Sequence, residues 1–184
     1  MFDTDQFIAD IRSTLSDSSR QSTRAVVERA VADPASLMHR LGEPTKAGIF
    51  VLHQAADLTI VNLAWGPRHM TLPHDHQLWS VIGIYAGRED NMYWRRLKDP
   101  TGRQIDLAGG RALGAGDVEV LGRDLIHSVV NPLASLSCAI HVYGGDLFSV
   151  KRSQWDAETL VEELYDTEKA NQAFREANEL LARR

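Results

Sequence analysis

One short segment of the sequence, Pro73-His74-Asp75-His76, carries the residues with the clearest capacity for chemistry. Two histidines that are separated by one residue point to the same face of an extended strand, and Asp75 between them points away. Two imidazoles on one face can hold a divalent metal ion when a third ligand arrives from elsewhere in the chain. The segment therefore predicts a mononuclear metal site.

The spacing of residues around this segment, and around a second one, supports a metal site. The two segments read His74-x-His76-x3-Ser80-x6-Gly87 and Gly116-x5-Gly122-x-Asp124-x2-His127-x3-Asn131. They resemble the two sequence signatures of the cupin superfamily. The resemblance implies an all-β fold, a double-stranded β-helix barrel whose interior both segments line, with His74, His76 and His127 as the metal ligands.

The sequence departs from the first cupin signature at Ser80, where a glutamate is usual, and from the second at Gly122 and Asp124, where proline and glycine are usual. Without the glutamate, the site keeps three uncharged histidines. Such a set leaves about three coordination positions open on an octahedral metal. It also leaves the metal charge uncompensated, which favours an anionic ligand such as a thiolate.

A second candidate pair, His141 and Tyr143, lies on a late predicted strand and shares one face of it. If that face is the barrel interior, the phenol can reach a ligand of the metal while the imidazole supports it. The alternative is a buried tyrosine–histidine pair with no catalytic part.

Together, His74-Asp75-His76, His127 and the His141-x-Tyr143 pair resemble the cysteine dioxygenase type, or thiol dioxygenase, branch of the cupins, over residues 49 to 155. The resemblance implies a non-haem Fe(II) enzyme that adds both atoms of O2 to a thiol. His141 and Tyr143 would match two members of a Ser–His–Tyr relay. Its serine position holds Ala139, and Ser137 could substitute only from a shifted position.

Arg152 is the candidate for binding the substrate. The predicted strand at residues 49 to 53 lacks the arginine of animal-type cysteine dioxygenases, whereas Arg152 resembles the arginine of bacterial 3-mercaptopropionate dioxygenases. A guanidinium presents a planar fork to a carboxylate and stays charged. The expected partners are thus O2 and a small thiol, 3-mercaptopropionate or cysteine. The alternative for Arg152 is an ordinary surface position.

Two other functions remain open from the sequence. One is a different three-histidine cupin dioxygenase of the diketone-cleaving type, which needs no carboxylate clamp. The other is a cupin that binds a metal or small ligand without turnover. His69, in the loop before the metal segment, could support a metal ligand, but a solvated loop position is the expected one.

The elements that must position these residues fall into three parts of one predicted domain, residues 1–184. Helical spacing predicts a helical cap over residues 1–42, and short apolar runs divided by glycines predict a β-barrel over residues 47–150. An apolar stripe predicts a long C-terminal helix over residues 156–182, with Asp156 as its cap. This helix packs on the barrel or contacts a second copy in a homodimer.

Composition excludes several classes of protein. The net charge is −5 without a basic patch, which argues against nucleic acid as a partner, and no apolar run is long enough to span a membrane. A single cysteine, Cys138, excludes an internal disulfide. The acidic N-terminus has no evident signal peptide, so we expect a cytoplasmic protein.

Overall fold

A computed structural model gives the structure of the chain and describes residues 1–98 and 100–183. Within these ranges the helices are α1 Thr4–Ser13, α2 Gln21–Val31, α3 Pro34–Leu41 and α4 Thr167–Ala182. The strands are β1 Gly48–Ala55, β2 Leu58–Trp65, β3 Ser80–Ala86, β4 Arg88–Arg96, β5 Ile105–Gly114, β6 Val118–Leu121, β7 Ile126–Val130, β8 Ser137–Tyr143, β9 Ser153–Trp155 and β10 Glu162–Leu164.

Two antiparallel sheets form the barrel. One sheet has the strand order β1-β2-β8-β3-β6 and the other has the order β5-β4-β7. Strands that are far apart in the sequence are neighbours, because β8 lies between β2 and β3. The architecture is the double-stranded β-helix with N-terminal helices and a C-terminal helix, so the predicted fold class is confirmed.

The central strands β2, β3 and β8 of the five-stranded sheet are buried on both faces, which explains why β2 is mostly apolar. On the outer face of this sheet, Ile60 and Val81 pack against apolar residues of the N-terminal helices such as Val27. A Cβ atom added to Gly83 would lie 2.4 Å from Cγ1 of Val27, so this glycine allows α2 to approach the sheet closely. The inner face is thereby left to line the barrel interior.

The C-terminal helix starts later than the sequence predicted, and Asp156 does not cap it. The helix begins at Thr167, where the side chain of Asp166 accepts hydrogen bonds from the first-turn amides. Asp156 instead caps a turn, accepting from the amides of Glu158 and Thr159. Leu160 has a left-handed φ of 53°, and the next residues form β10, which pairs with β9. This hairpin replaces the first turns of the expected helix.

Contacts on one side of α4 attach it to the barrel. The side-chain amide of Asn178 accepts from the backbone N–H of Ala47 at 2.7 Å and donates to its carbonyl at 3.0 Å. Ala177 is buried, and a Cβ atom on Gly66 would lie 2.4 Å from its methyl group. These contacts set Phe174 against the barrel, where it packs on Trp65. Neither this helix nor any other described one is both long enough and apolar enough to cross a membrane.

Candidate metal centre

The segment that carries His74 and His76 lies between β2 and β3 and is not a regular strand, contrary to the prediction. It is tied to β7 by an isolated bridge in which His74 and His127 exchange backbone hydrogen bonds of 2.8 and 2.9 Å. The backbone still alternates, so Asp75 points away from the histidines. Its buried carboxylate accepts from the amide of Ser153 and from the side chain of Gln77. This segment therefore brings His74 beside the distant His127.

The rings of His74, His76 and His127 are buried and converge on one point. The Nε2 atom of His76 lies 3.2 Å from that of His74 and 3.3 Å from that of His127. Three ligands around a tetrahedral ion, at a metal–nitrogen distance of about 2.0–2.1 Å, would themselves lie ~3.3 Å apart. The spacing of the nitrogens suits a divalent ion.

Hydrogen bonds on the far side of two rings decide which nitrogen faces this point. The Nδ1 atom of His74 lies 2.9 Å from the carbonyl oxygen of Leu72, and that of His127 lies 2.8 Å from Oδ1 of Asn91. Because both oxygens can only accept, both Nδ1 atoms carry hydrogen and both Nε2 atoms are bare lone pairs. These two bare nitrogens both face Nε2 of His76, and a metal ion would satisfy all three nitrogens together.

The electrostatics keep the three rings neutral. Burial lowers the pKa of His74 to about 4, and the positive charge of Arg152 adds to this effect. Burial and the neighbouring histidines lower the pKa values of His76 and His127 well below the usual value. Neutral imidazole is the form that binds metal, so the cluster is ready to do so near neutral pH.

Carboxylate ligands are absent from the cluster in the described part of the chain. Ser80, at the position of the usual glutamate, is buried and pairs across the sheet with Tyr143, and its hydroxyl has no hydrogen-bond partner among the described residues. A serine hydroxyl is a poor substitute for a carboxylate ligand. The donor set is therefore three neutral histidines.

A cavity of about 120 Å³ opens onto the histidines. Its polar wall includes Tyr143, Arg152, Gln154 and Tyr165. Its other walls are apolar and aromatic. They include Leu63, Trp65, Val129, Leu147 and, from α4, Phe174. The cavity is small compared with pockets of about 300–1,000 Å³ that hold drug-sized ligands, so it suits a molecule of only a few heavy atoms.

Arg152 lines this cavity, where the sequence predicted a substrate-binding residue. Its guanidinium carbon lies 3.7 Å from the centroid of the Tyr165 ring, which holds it by a cation–π contact. Within the described ranges, no carboxylate oxygen lies within 4.0 Å of Arg152, whereas Lys169 in the same cavity pairs with Glu163 at 2.8 Å. Arg152 is thus a cation that lines the cavity and has no anionic partner among the described residues.

Tyr143 and His141 form the predicted pair on the inner face of β8. The Tyr143 hydroxyl lies 2.9 Å from Nδ1 of His141, and its ring meets that of His76 edge to face at 5.0 Å between centroids. Burial raises the pKa of Tyr143, so the phenol keeps its proton. Ser137 does not complete the relay, because its hydroxyl donates to the carbonyl of Arg88 at 2.7 Å.

Several residues of the site escaped the sequence analysis. Asn91 supports His127, and Glu89, two positions earlier on β4, is fully buried with Oε1 3.7 Å from Nε2 of His141. His69 is not solvated as predicted, because α4 covers it and its ring lies 4.8 Å from that of Phe174. Burial lowers the pKa of His69 to about 4. The continuous polar run Arg88-Glu89-Asp90-Asn91 at the start of β4 gave no sign in the sequence that Glu89 and Asn91 would be buried.

No family model matches the chain. Solved structures that resemble it include an RmlC-like cupin family protein with a double-stranded β-helix from Methanocaldococcus jannaschii, 7% identical over 58% of this chain and 87% of that one, with a TM-score of 0.47. An uncharacterized protein with a double-stranded β-helix domain from Klebsiella pneumoniae is 13% identical over 59% and 82%, with a TM-score of 0.45. Bacillus subtilis oxalate decarboxylase is 20% identical over 51% of this chain but only 22% of its own, with a TM-score of 0.39. The strand order described above carries the fold assignment.

Proposed function

We propose that this chain is a non-haem iron(II) thiol dioxygenase that oxidises a small mercapto-carboxylic acid to its sulfinic acid. The observation that carries the proposal is one cavity in which three neutral histidines, the unpaired Arg152 and the Tyr143 hydroxyl meet. A bound iron ion would supply Lewis acidity that favours the thiolate and a redox centre for O2. The reaction, R–SH + O2 → R–SO2H, places both oxygen atoms on sulfur and needs no separate reductant.

Arg152 would bind and orient the substrate carboxylate. Its planar fork can make two parallel hydrogen bonds to one carboxylate, and the Tyr165 ring limits the rotation of the guanidinium. With the carboxylate held there, the thiol at the other end of a short carbon chain would lie toward the histidines, which line the same cavity. Fixing both ends of a small molecule is the main catalytic contribution of the protein.

The charges around the cavity favour 3-mercaptopropionate over cysteine. Among the described residues that line the cavity, none is acidic, and Arg152 is a cation without an acidic partner. The ammonium group of cysteine would therefore enter without a counterion and close to positive charge. A mercapto-carboxylic acid without an amino group avoids this cost.

Tyr143 and the apolar walls complete the site. The Tyr143 hydroxyl, held by His141, can hydrogen-bond to the sulfur end of the substrate. Leu63, Val129 and Phe174 limit the entry of water, which strengthens the interaction between Arg152 and the carboxylate. These side chains bind, orient and protect the substrate.

Iron analysis and an oxygen electrode test this function. We expect the purified chain, loaded with Fe(II), to consume O2 with 3-mercaptopropionate and to form one sulfinate per O2, detected by mass spectrometry. Cysteine should react with a higher KM, and His127→Ala should lose both iron and activity. Turnover of a β-diketone without any thiol would select the diketone-cleaving alternative, and metal binding without O2 uptake would make the chain a binding protein.

A further inference from the structure

Glu89 is a buried acidic residue beside His141, the partner of Tyr143. It lies on β4, is fully buried, and faces Leu113 across the sheet. Neither of its carboxylate oxygens has a hydrogen-bond partner among the described residues, and the same holds for Nε2 of His141. These unsatisfied groups point at each other, with 3.7 Å between Oε1 and Nε2. A small rotation of either side chain closes this gap to a hydrogen bond.

An apolar residue would be the ordinary choice at this position. A buried carboxylate is costly unless a donor or a cation compensates it. In the described part of the chain, His141 is the one basic side chain within 4.0 Å of Glu89. The Glu89 side chain is therefore better explained as a partner of His141 than as a part of the apolar core.

We propose that Glu89 is a positioning residue that fixes the tautomer of His141. Its carboxylate accepts the hydrogen on Nε2, as a buried aspartate does in serine proteases, so Nδ1 is left without hydrogen. The Tyr143 hydroxyl, 2.9 Å from Nδ1, must then donate to it. In the Ser–His–Tyr relay a serine supports the histidine, but that position holds Ala139 here. In the order Glu89–His141–Tyr143, Glu89 supplies this support instead.

This order has a consequence for the substrate. A tyrosine hydroxyl has one hydrogen, and here that hydrogen points to His141. The lone pairs of the Tyr143 oxygen therefore face the cavity, where they accept a hydrogen bond only from a group that carries hydrogen, such as the substrate thiol before it loses its proton. The consequence rests on the proposed function, whereas the tautomer itself does not depend on metal or substrate.

Nitrogen NMR of the metal-free chain, residues 1–184, labelled with ¹⁵N-histidine tests the tautomer. The signals of His141 are identified by their loss in His141→Asn. In the wild type we expect a protonated Nε2 and a bare Nδ1. In Glu89→Leu the Nδ1 resonance should shift toward a protonated nitrogen, while Glu89→Gln, which keeps an acceptor oxygen, and the exposed control Glu43→Leu should leave it in place.

The inference is overturned if wild-type His141 carries its hydrogen on Nδ1, or if Glu89→Leu leaves the resonance unchanged. Should Glu89→Leu fail to fold, the wild-type and Glu89→Gln spectra still decide the point. A chain that oxidises no thiol but shows the expected tautomer contradicts the proposed function alone. In an active enzyme, Glu89→Leu should lower kcat by roughly 10-fold with little change in KM, the size of effect expected when a hydrogen-bonding partner near a metal site is removed.

Discussion

Asn91 accepts a hydrogen bond from Nδ1 of His127 across 2.8 Å, and this contact turns the other ring nitrogen toward His74 and His76. The contact is diagonal, because His127 lies directly opposite Tyr93 on the neighbouring strand and Asn91 is two residues away. One side of β4 thus supports His127 of the metal cluster through Asn91, and it supports the His141–Tyr143 pair through Glu89. The inner face of this strand organises both parts of the site.

Asn91→Leu should weaken metal binding without removing a ligand. The side chain has a similar volume but no acceptor, so His127 is free to rotate or to change tautomer. We expect a loss of roughly 10- to 100-fold in metal affinity, measured by competition with a chelator. Asn91→Asp keeps the acceptor and is the matched control. Equal affinity in the leucine variant and the wild type would mean that the contact does not orient the ring.

Arg152→Ala should affect substrate binding more than folding. Hydrogen bonds to a charged group contribute about 1.5–3 kcal/mol, so KM for 3-mercaptopropionate should rise by roughly 10- to 100-fold. Lys151→Ala removes a neighbouring exposed cation and should leave KM unchanged. Both are measured with the oxygen electrode, with the melting temperature as a check on folding. An unchanged KM in Arg152→Ala would place the carboxylate elsewhere.

Tyr143→Phe should lower turnover. It removes the hydroxyl beside His141 while the ring keeps its contact with His76. We expect kcat to fall by roughly 10- to 100-fold with a smaller change in KM. Tyr85→Phe is the matched control, because Tyr85 is also buried and donates to Asn62 at 2.9 Å but lies outside the cavity. Similar kcat values in the two variants would argue against a catalytic part for Tyr143.

His69 should make the metal-free protein less stable at acid pH. Burial lowers its pKa from 6.5 to about 4 in the folded chain, so between these values the unfolded chain binds more protons. The free energy of unfolding therefore falls as pH falls through this window, and His69 should contribute about 2 kcal/mol of that loss between pH 7 and pH 5. His69→Phe keeps the ring contacts with Trp65 and Phe174. Between pH 7 and pH 5 its free energy of unfolding, measured by urea titration, should therefore fall by about 2 kcal/mol less than that of the wild type. Parallel pH profiles for the two proteins would contradict the assignment.

The sequence by itself determined the local features of this protein. The alternation in His74-Asp75-His76 placed both imidazoles on one side even without a regular strand, because it needs only an extended backbone. The apolar runs with intervening glycines determined the barrel, and the spacing in His141-x-Tyr143 determined a pair on one face. Each of these depends on residues that are close in the chain.

Tertiary structure alone decided which distant residues meet. The register of β4 against β7 sets Asn91 beside His127, and the meeting of β4 with β8 sets Glu89 beside His141; a shift of one residue would turn both side chains to the other face. The start of α4 was decided in the same way, because the pairing of β10 with β9 overrode a helical pattern at Leu160. Hydrophobic spacing reports which face of an element is buried but not against what, so the partners of buried polar groups come only from the fold.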